Sequence, residues 1–303
     1  MSPIEVLVIL FGLLLGYWLL ARLGGERPNT DSDPTGAQAA RNRLAYEAAL
    51  REATARNAAS RSASGGISKA LPLLIGLGAF GKFLLPVGSM LLAIGTYALI
   101  YGWPYAVGFV LLLLVHELGH YTAARRRGLP VGLPTFIPFM GAWIDLKARP
   151  MDAETEAFVG LAGPMVGSAA AFVCYLIALS TGERMFLALA YAGFMLNLFN
   201  LIPVSPLDGG RIMAAISPRL WFVGLPMLVA VFFWQPSPII VLIAVFAIPQ
   251  IWSVFVRRKL PSPDYYRVPA RVRIGYAIDY TLLVGFLLVL SIQAHDALRA
   301  VRA

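Results

Sequence analysis

Eight apolar runs divide this chain, and most of them approach the roughly 20 residues that an α-helix needs to cross a bilayer. They cover Val6–Ala21, Phe83–Gly102, Pro104–Ala124, Phe158–Leu179, Phe186–Ile202, Leu220–Trp234, Ile239–Val256 and Ile274–Ile292. Hydrophobic residues make up 58% of the 303 positions and charged residues 14%, with a mean hydropathy of +0.72. A soluble core cannot absorb that much apolar surface, whereas lipid can. The expected fold is an all-α polytopic membrane protein of about eight transmembrane helices.

The formal charge of +9 does not point to nucleic acid, because most basic clusters abut apolar runs, where they set topology. With the first run ending inside at Arg22, alternation brings Arg125–Arg127 and Arg257–Lys259 to the same, cytoplasmic side. That arrangement suits a bacterial inner (plasma) membrane. The short, glycine-rich run Leu71–Gly81, flanked by Lys69 and Lys82, is expected to be interfacial or re-entrant. Counting it as a full span would put Arg125–Arg127 outside. Cys174, the one cysteine, lies within an apolar run, so neither a disulfide framework nor a cysteine metal site is available. The apolar N-terminus has no basic residue ahead of it and reads as a retained span.

Four regions follow: an N-terminal span (1–22), a polar, alanine- and arginine-rich cytoplasmic linker that is partly helical (23–69), a core (70–256), and a basic linker with the last span and a short tail (257–303). Glu47 and Arg51 form an i,i+4 pair in the linker.

Within the core, His116-Glu117-Leu118-Gly119-His120 sets two imidazoles on one helix face, about a turn apart, where both can reach one zinc ion. The intervening glutamate is placed to take a proton from a water that zinc acidifies from a pKa of ~15.7 towards ~7. The bland reading is a pair of packed histidines. Against it, these are two of only three histidines in the chain, and ionisable groups inside a span are expensive unless functional. Twelve residues of the run, Pro104–Val115, precede His116, or about 18 Å of helix. From His120 to Arg125 is only about a turn and a half. The site is therefore expected below the membrane surface, nearer the cytoplasmic face.

A catalytic zinc takes three protein ligands and keeps an open position. His295 lies after the last run, on the opposite side. Asp208, in Asn200-Leu-Ile-Pro203-Val-Ser-Pro206-Leu-Asp208-Gly209-Gly210-Arg211, follows two prolines that interrupt a helix and precedes two glycines that allow close backbone approach. Its chemistry suits a ligand projecting from unwound backbone and equally an Asp-Gly turn.

H-E-L-G-H in one apolar helix, with N-L-I-P-V-S-P-L-D-G-G-R later, resembles the site-2 protease family of intramembrane zinc metalloproteases. The resemblance covers about residues 83–256. It implies that Asp208 completes the zinc site, that Glu117 is the general base, and that Asn200 lies near the metal and helps to stabilise the oxyanion. It further implies peptide-bond hydrolysis within or near the transmembrane segment of membrane-anchored, single-span substrates. Gly160-Leu-Ala-Gly163-Pro164 resembles the A-G-P stretch of the same family, and as small residues it reads as close helix packing.

Cleavage requires an extended substrate. Leu129–Leu146 carries Pro130, Pro134 and Pro138 with Gly132 and Gly141, which excludes a straight helix. The expectation is a re-entrant loop or small β-hairpin whose free edge pairs with unwound substrate, with Phe139 and Trp143 as substrate-binding residues. A loop that merely caps the cavity fits equally. Other readings fare less well. A prenylated-protein protease would need a glutamate ligand, but Glu154, Glu156 and Glu183 lie at or beyond span ends. A catalytically inactive scaffold or chaperone is opposed by the intact His116, Glu117, His120 and Asp208.

Overall fold

The computed structural model describes residues 71–139, 141–143, 152–234 and 263–300, with isolated helical positions elsewhere. The expected first span, the 23–69 linker, most of Ile239–Val256 and the Arg257–Lys259 cluster lie outside the described residues.

The chain is mostly helical. Helix α1 (Leu71–Tyr101) turns at Gly102, with φ 84°, into α2 (Trp103–Arg126). Pro104 in the first turn of α2 has no N–H to leave unpaired, and Arg125 and Arg126 complement the carbonyl end. A two-stranded hairpin, β1 (Thr135–Ile137) and β2 (Gly141–Trp143), comes next. Helix α3 (Ala153–Thr181) is capped by the Asp152 carboxylate, which accepts from the Thr155 N–H at 2.7 Å. It stops at Gly182, which takes the left-handed conformation. Helix α4 (Arg184–Asn200), the short α5 (Asp208–Ile216), α6 (Trp221–Trp234) and α7 (Ala270–Ala300) follow among the described residues.

Among the described residues, four helices are long and apolar enough to cross a membrane: Leu84–Tyr101, α2, α3 and α7. Where spans were expected at Phe186–Ile202 and Leu220–Trp234, α4 has 17 residues and α6 has 14, about 26 and 21 Å of helix. By helix alone both are shorter than a ~30 Å hydrocarbon layer, and the unwound Leu201–Leu207 segment continues α4. Leu71–Gly81 also departs from expectation. It is not a separate piece but is continuous with the following run in a single 31-residue helix, of which the membrane-length part begins at Leu84. Its glycines at 76, 78 and 81 lower helix propensity, but propagation from an already formed helix requires no new nucleus.

Helix α3 is the hub, packed against α2, α4 and α5. Leu161, Met165, Phe194, Tyr276, Leu283 and Leu287 are fully buried around it. In lipid, where burying apolar surface against another helix gains little, close contact has to come from small residues. A Cβ on Gly119 would fall 2.5 Å from the Ala162 carbonyl oxygen, so α2 and α3 cross almost backbone to backbone. Leu84, Leu85, Leu91, Leu92 and Leu99 of α1 are exposed, as a lipid-facing surface would be. Near the start of α3, Arg127 pairs with Glu154 at 3.3 Å and lies over the Phe158 ring. The Tyr265 hydroxyl donates to Glu156, and burial followed by the Glu156 charge pushes that phenol up.

The hairpin pairs Thr135 with Trp143 and Ile137 with Gly141. Its turn holds Phe139 at φ 63°. Two hydroxyls of α1 bind its backbone: the Phe136 N–H donates to Ser89 Oγ and the Phe139 N–H to the Tyr97 hydroxyl, each at 3.0 Å.

Candidate metal centre

The histidine pair sits on α2 where that helix crosses α3. His116 and His120 are 2% and 6% exposed and Glu117 is 8% exposed. Each imidazole is held by its outer nitrogen. His120 Nδ1 lies 2.7 Å from the Val159 carbonyl oxygen. A carbonyl only accepts, so His120 carries its proton on Nδ1 and turns the Nε2 lone pair inward. His116 Nδ1 lies 2.8 Å from Asn197 Oδ1. The Asn197 amide is itself oriented, because its Nδ2 donates to the Gly193 carbonyl at 2.7 Å. That leaves Oδ1 as the acceptor and gives His116 the same tautomer.

Asp208 arrives from α5. Leu201–Leu207 is unwound and Asp208 is the first helical residue, so its carboxylate projects from a helix start, where a negative charge is favoured, and not from the unwound stretch. Gly209 and Gly210 fit beneath that stretch: their Cβ atoms would lie 2.2 Å from the Leu201 oxygen and 2.5 Å from the Ser205 nitrogen. The Trp221 indole N–H donates to the Gly210 carbonyl at 2.8 Å and anchors the turn.

The three inward atoms form a nearly equilateral triangle. His116 Nε2 and His120 Nε2 are 3.1 Å apart, and Asp208 Oδ2 is 3.3 and 3.2 Å from them. Tetrahedral coordination with metal–ligand bonds of about 2.05 Å has edges of about 3.3 Å. Two lone pairs and a carboxylate oxygen this close repel one another unless a proton or a metal ion lies between them, and His116, His120 and Asp208 can together hold a metal ion.

The sequence expectations divide here. His116, His120 and Asp208 converge, and Glu117 is buried beside them, directly after His116 on α2. Asn200 is the last residue of α4 and half-buried. Its side chain makes no hydrogen bond among the described residues; the contact with His116 comes from Asn197, a turn earlier. Phe139 is exposed and packs edge-on against Tyr97, with ring centroids 5.4 Å apart. The Trp143 side chain lies outside the described residues. Sequence reading missed Asn197, although an amide inside an apolar run is the kind of signal that marks function. It also read Gly163 as helix packing alone, yet Gly163 lies directly under His120, and Gly167 lies under His116 and Asn197.

A buried His–His–Asp centre among membrane-length helices defines a polytopic membrane protein with a metal site inside its helix bundle. Comparison with known proteins shows what this chain is similar to. Residues 104–183 match the sequence model of peptidase family M50, the site-2 protease family. A zinc metalloprotease of Methanocaldococcus jannaschii is 33% identical over 120 residues, covering 37% of this chain and 34% of the relative. Rip3 of Mycobacterium tuberculosis is 33% identical over 137 residues, covering 40% and 34%. EGY2 of Arabidopsis thaliana is 29% identical over 162 residues, covering 39% and 29%. The matched segment thus spans about a third of each of these relatives.

Proposed function

We propose that this chain is an intramembrane zinc metalloendopeptidase that hydrolyses peptide bonds within or near the transmembrane segment of single-span membrane proteins. The observation that carries this reading is the triangle of His116 Nε2, His120 Nε2 and Asp208 Oδ2, with edges of 3.1–3.3 Å and a buried glutamate beside it.

Zinc, when bound there, acidifies a coordinated water and polarises the scissile carbonyl. Glu117 accepts the proton of the attacking water on its carboxylate and returns it to the departing amide nitrogen. Asn197 and the Val159 carbonyl hold the imidazoles in the ligating tautomer. Asn200 assists the developing oxyanion from the end of α4. The hairpin presents extended backbone to the substrate. Helix α1 already occupies the Phe136 N–H, so the outer edge of β2 is the one left to pair with an unwound segment, with Phe139 and Trp143 as side-chain contacts. Phe136 belongs to an apolar cluster with Ala93, Tyr97, Ala106, Val110 and Leu113, which supports a re-entrant hairpin at the depth of the spans.

The same reading has about eight crossings in all, a protease core over 70–256, and a bacterial inner-membrane location with the centre towards the cytoplasm. The test uses purified protein and a panel of single-span substrates. Glu117→Gln keeps its zinc and loses cleavage by roughly 10²- to 10⁴-fold, whereas Asp208→Asn loses zinc. Equal cleavage by wild type and Glu117→Gln would discard the mechanism.

A further inference from the structure

The mechanism above leaves one charge at the site unused. Arg211 stands one turn after Asp208 on α5, on the same helix face, and its side chain is 29% exposed. Its one ion pair among the described residues is with Asp208: Nη1 lies 3.8 Å from Oδ1. The two carboxylate oxygens are therefore divided, Oδ2 facing both histidines and Oδ1 facing the guanidinium.

We propose that Arg211 is the positioning residue for Asp208, holding Oδ1 aside so that a single oxygen is offered to the metal. This rests on reading the centre as a metal site. At 3.8 Å the pair is held by charge and not by a hydrogen bond, so it biases carboxylate rotation without withdrawing the ligand. The seat for the arginine is specific. A Cβ on Gly160 would lie 2.9 Å from Arg211 Cβ and 3.2 Å from the Asp208 carbonyl oxygen, so only glycine there lets the arginine stem and the start of α5 lie against α3. One-oxygen ligation matters because a catalytic centre needs an open position. A carboxylate that swung to bind through both oxygens would occupy it.

The test uses the full-length protein in detergent, titrated with cobalt(II), whose visible absorption reports coordination number, and with zinc against a chelator. Arg211→Met is expected to weaken metal binding roughly 10- to 100-fold and to lower the cobalt absorption as the carboxylate binds through both oxygens. Arg211→Lys restores most of both. Gly160→Ala, which displaces the stem but keeps the charge, shifts the spectrum in the same direction as Arg211→Met. Wild-type spectrum and affinity in Arg211→Met overturn the proposal, and so does Arg211→Lys behaving like Met. Should Arg211→Met not fold, the lysine and Gly160→Ala variants decide it by the same spectrum. Failure of the metal reading itself looks different: wild type takes up no cobalt, or Asp208→Asn binds it as tightly.

Discussion

A Cβ built on Gly163 falls 2.2 Å from His120 Nε2, the nitrogen that faces the metal position, and 2.3 Å from Cε1. One methyl group at that point must displace the imidazole, because α3 is pinned against α2 and cannot retreat. Gly163→Ala is therefore expected to abolish stoichiometric zinc while leaving the helical content unchanged, as measured by metal analysis and circular dichroism on the same sample. Asn197→Ala removes the acceptor that fixes the His116 tautomer, and second-sphere partners of this kind typically change metal affinity by roughly 10- to 100-fold. A chelator competition that gives the wild-type zinc affinity for Asn197→Ala would show that the ring is held by packing alone. The residue scale is where the sequence was most and least informative. Two histidines four apart must share a helix face, so the ligand pair was legible. Asn197 was not, because which polar residue reaches Nδ1 depends on how α4 rotates against α2, and no local pattern encodes that rotation.

Among the elements, the hairpin depends on α1 for its place. Three-residue strands are marginal by themselves, and here two side-chain hydroxyls, Ser89 and Tyr97, take up the Phe136 and Phe139 N–H groups. The double variant Ser89→Ala, Tyr97→Phe removes both acceptors but keeps the Tyr97–Phe139 ring contact. Faster hydrogen exchange at Phe136 and Phe139 and reduced cleavage are expected, with zinc content unchanged. If exchange rises and cleavage does not fall, the hairpin is a cap over the cavity and not a substrate clamp. Prolines and glycines made the non-helical character of this stretch readable, since they forbid a continuous helix whatever surrounds them. The reach of α1 was not readable, because glycine-rich Leu71–Gly81 is a weak helix former that is carried along by the stronger run behind it. The position of Asp208 at a helix start likewise emerges only when Gly209 and Gly210 nest under Leu201–Ser205.

For the whole molecule, chain order and contacts give the helix directions. Tyr276 donates to the Glu154 carbonyl near the start of α3, Tyr280 donates to the Leu201 carbonyl just past the end of α4, and Tyr191 midway along α4 meets His295 near the end of α7. Helices α3 and α7 thus run in one direction and α4 in the other. With Cys174 replaced by serine, single cysteines at Arg125 and Gly182 are expected to label from opposite faces of the membrane, the first from the cytoplasmic side. Labelling of both from one face would mean that α3 does not cross.

Apolar run length and the 3.6-residue helical period are local properties. The chain by itself therefore determined that it is a helical membrane protein and that His116, Glu117 and His120 lie together on one helix. Whether Asp208 stands beside the histidines or in a distant turn, and which neighbours hold the imidazoles, depended on distant segments meeting. Tertiary structure alone decided these, because Gly119, Gly160, Gly163 and Gly167 let α2, α4 and α5 close on α3 to within the few ångströms that a shared ion requires.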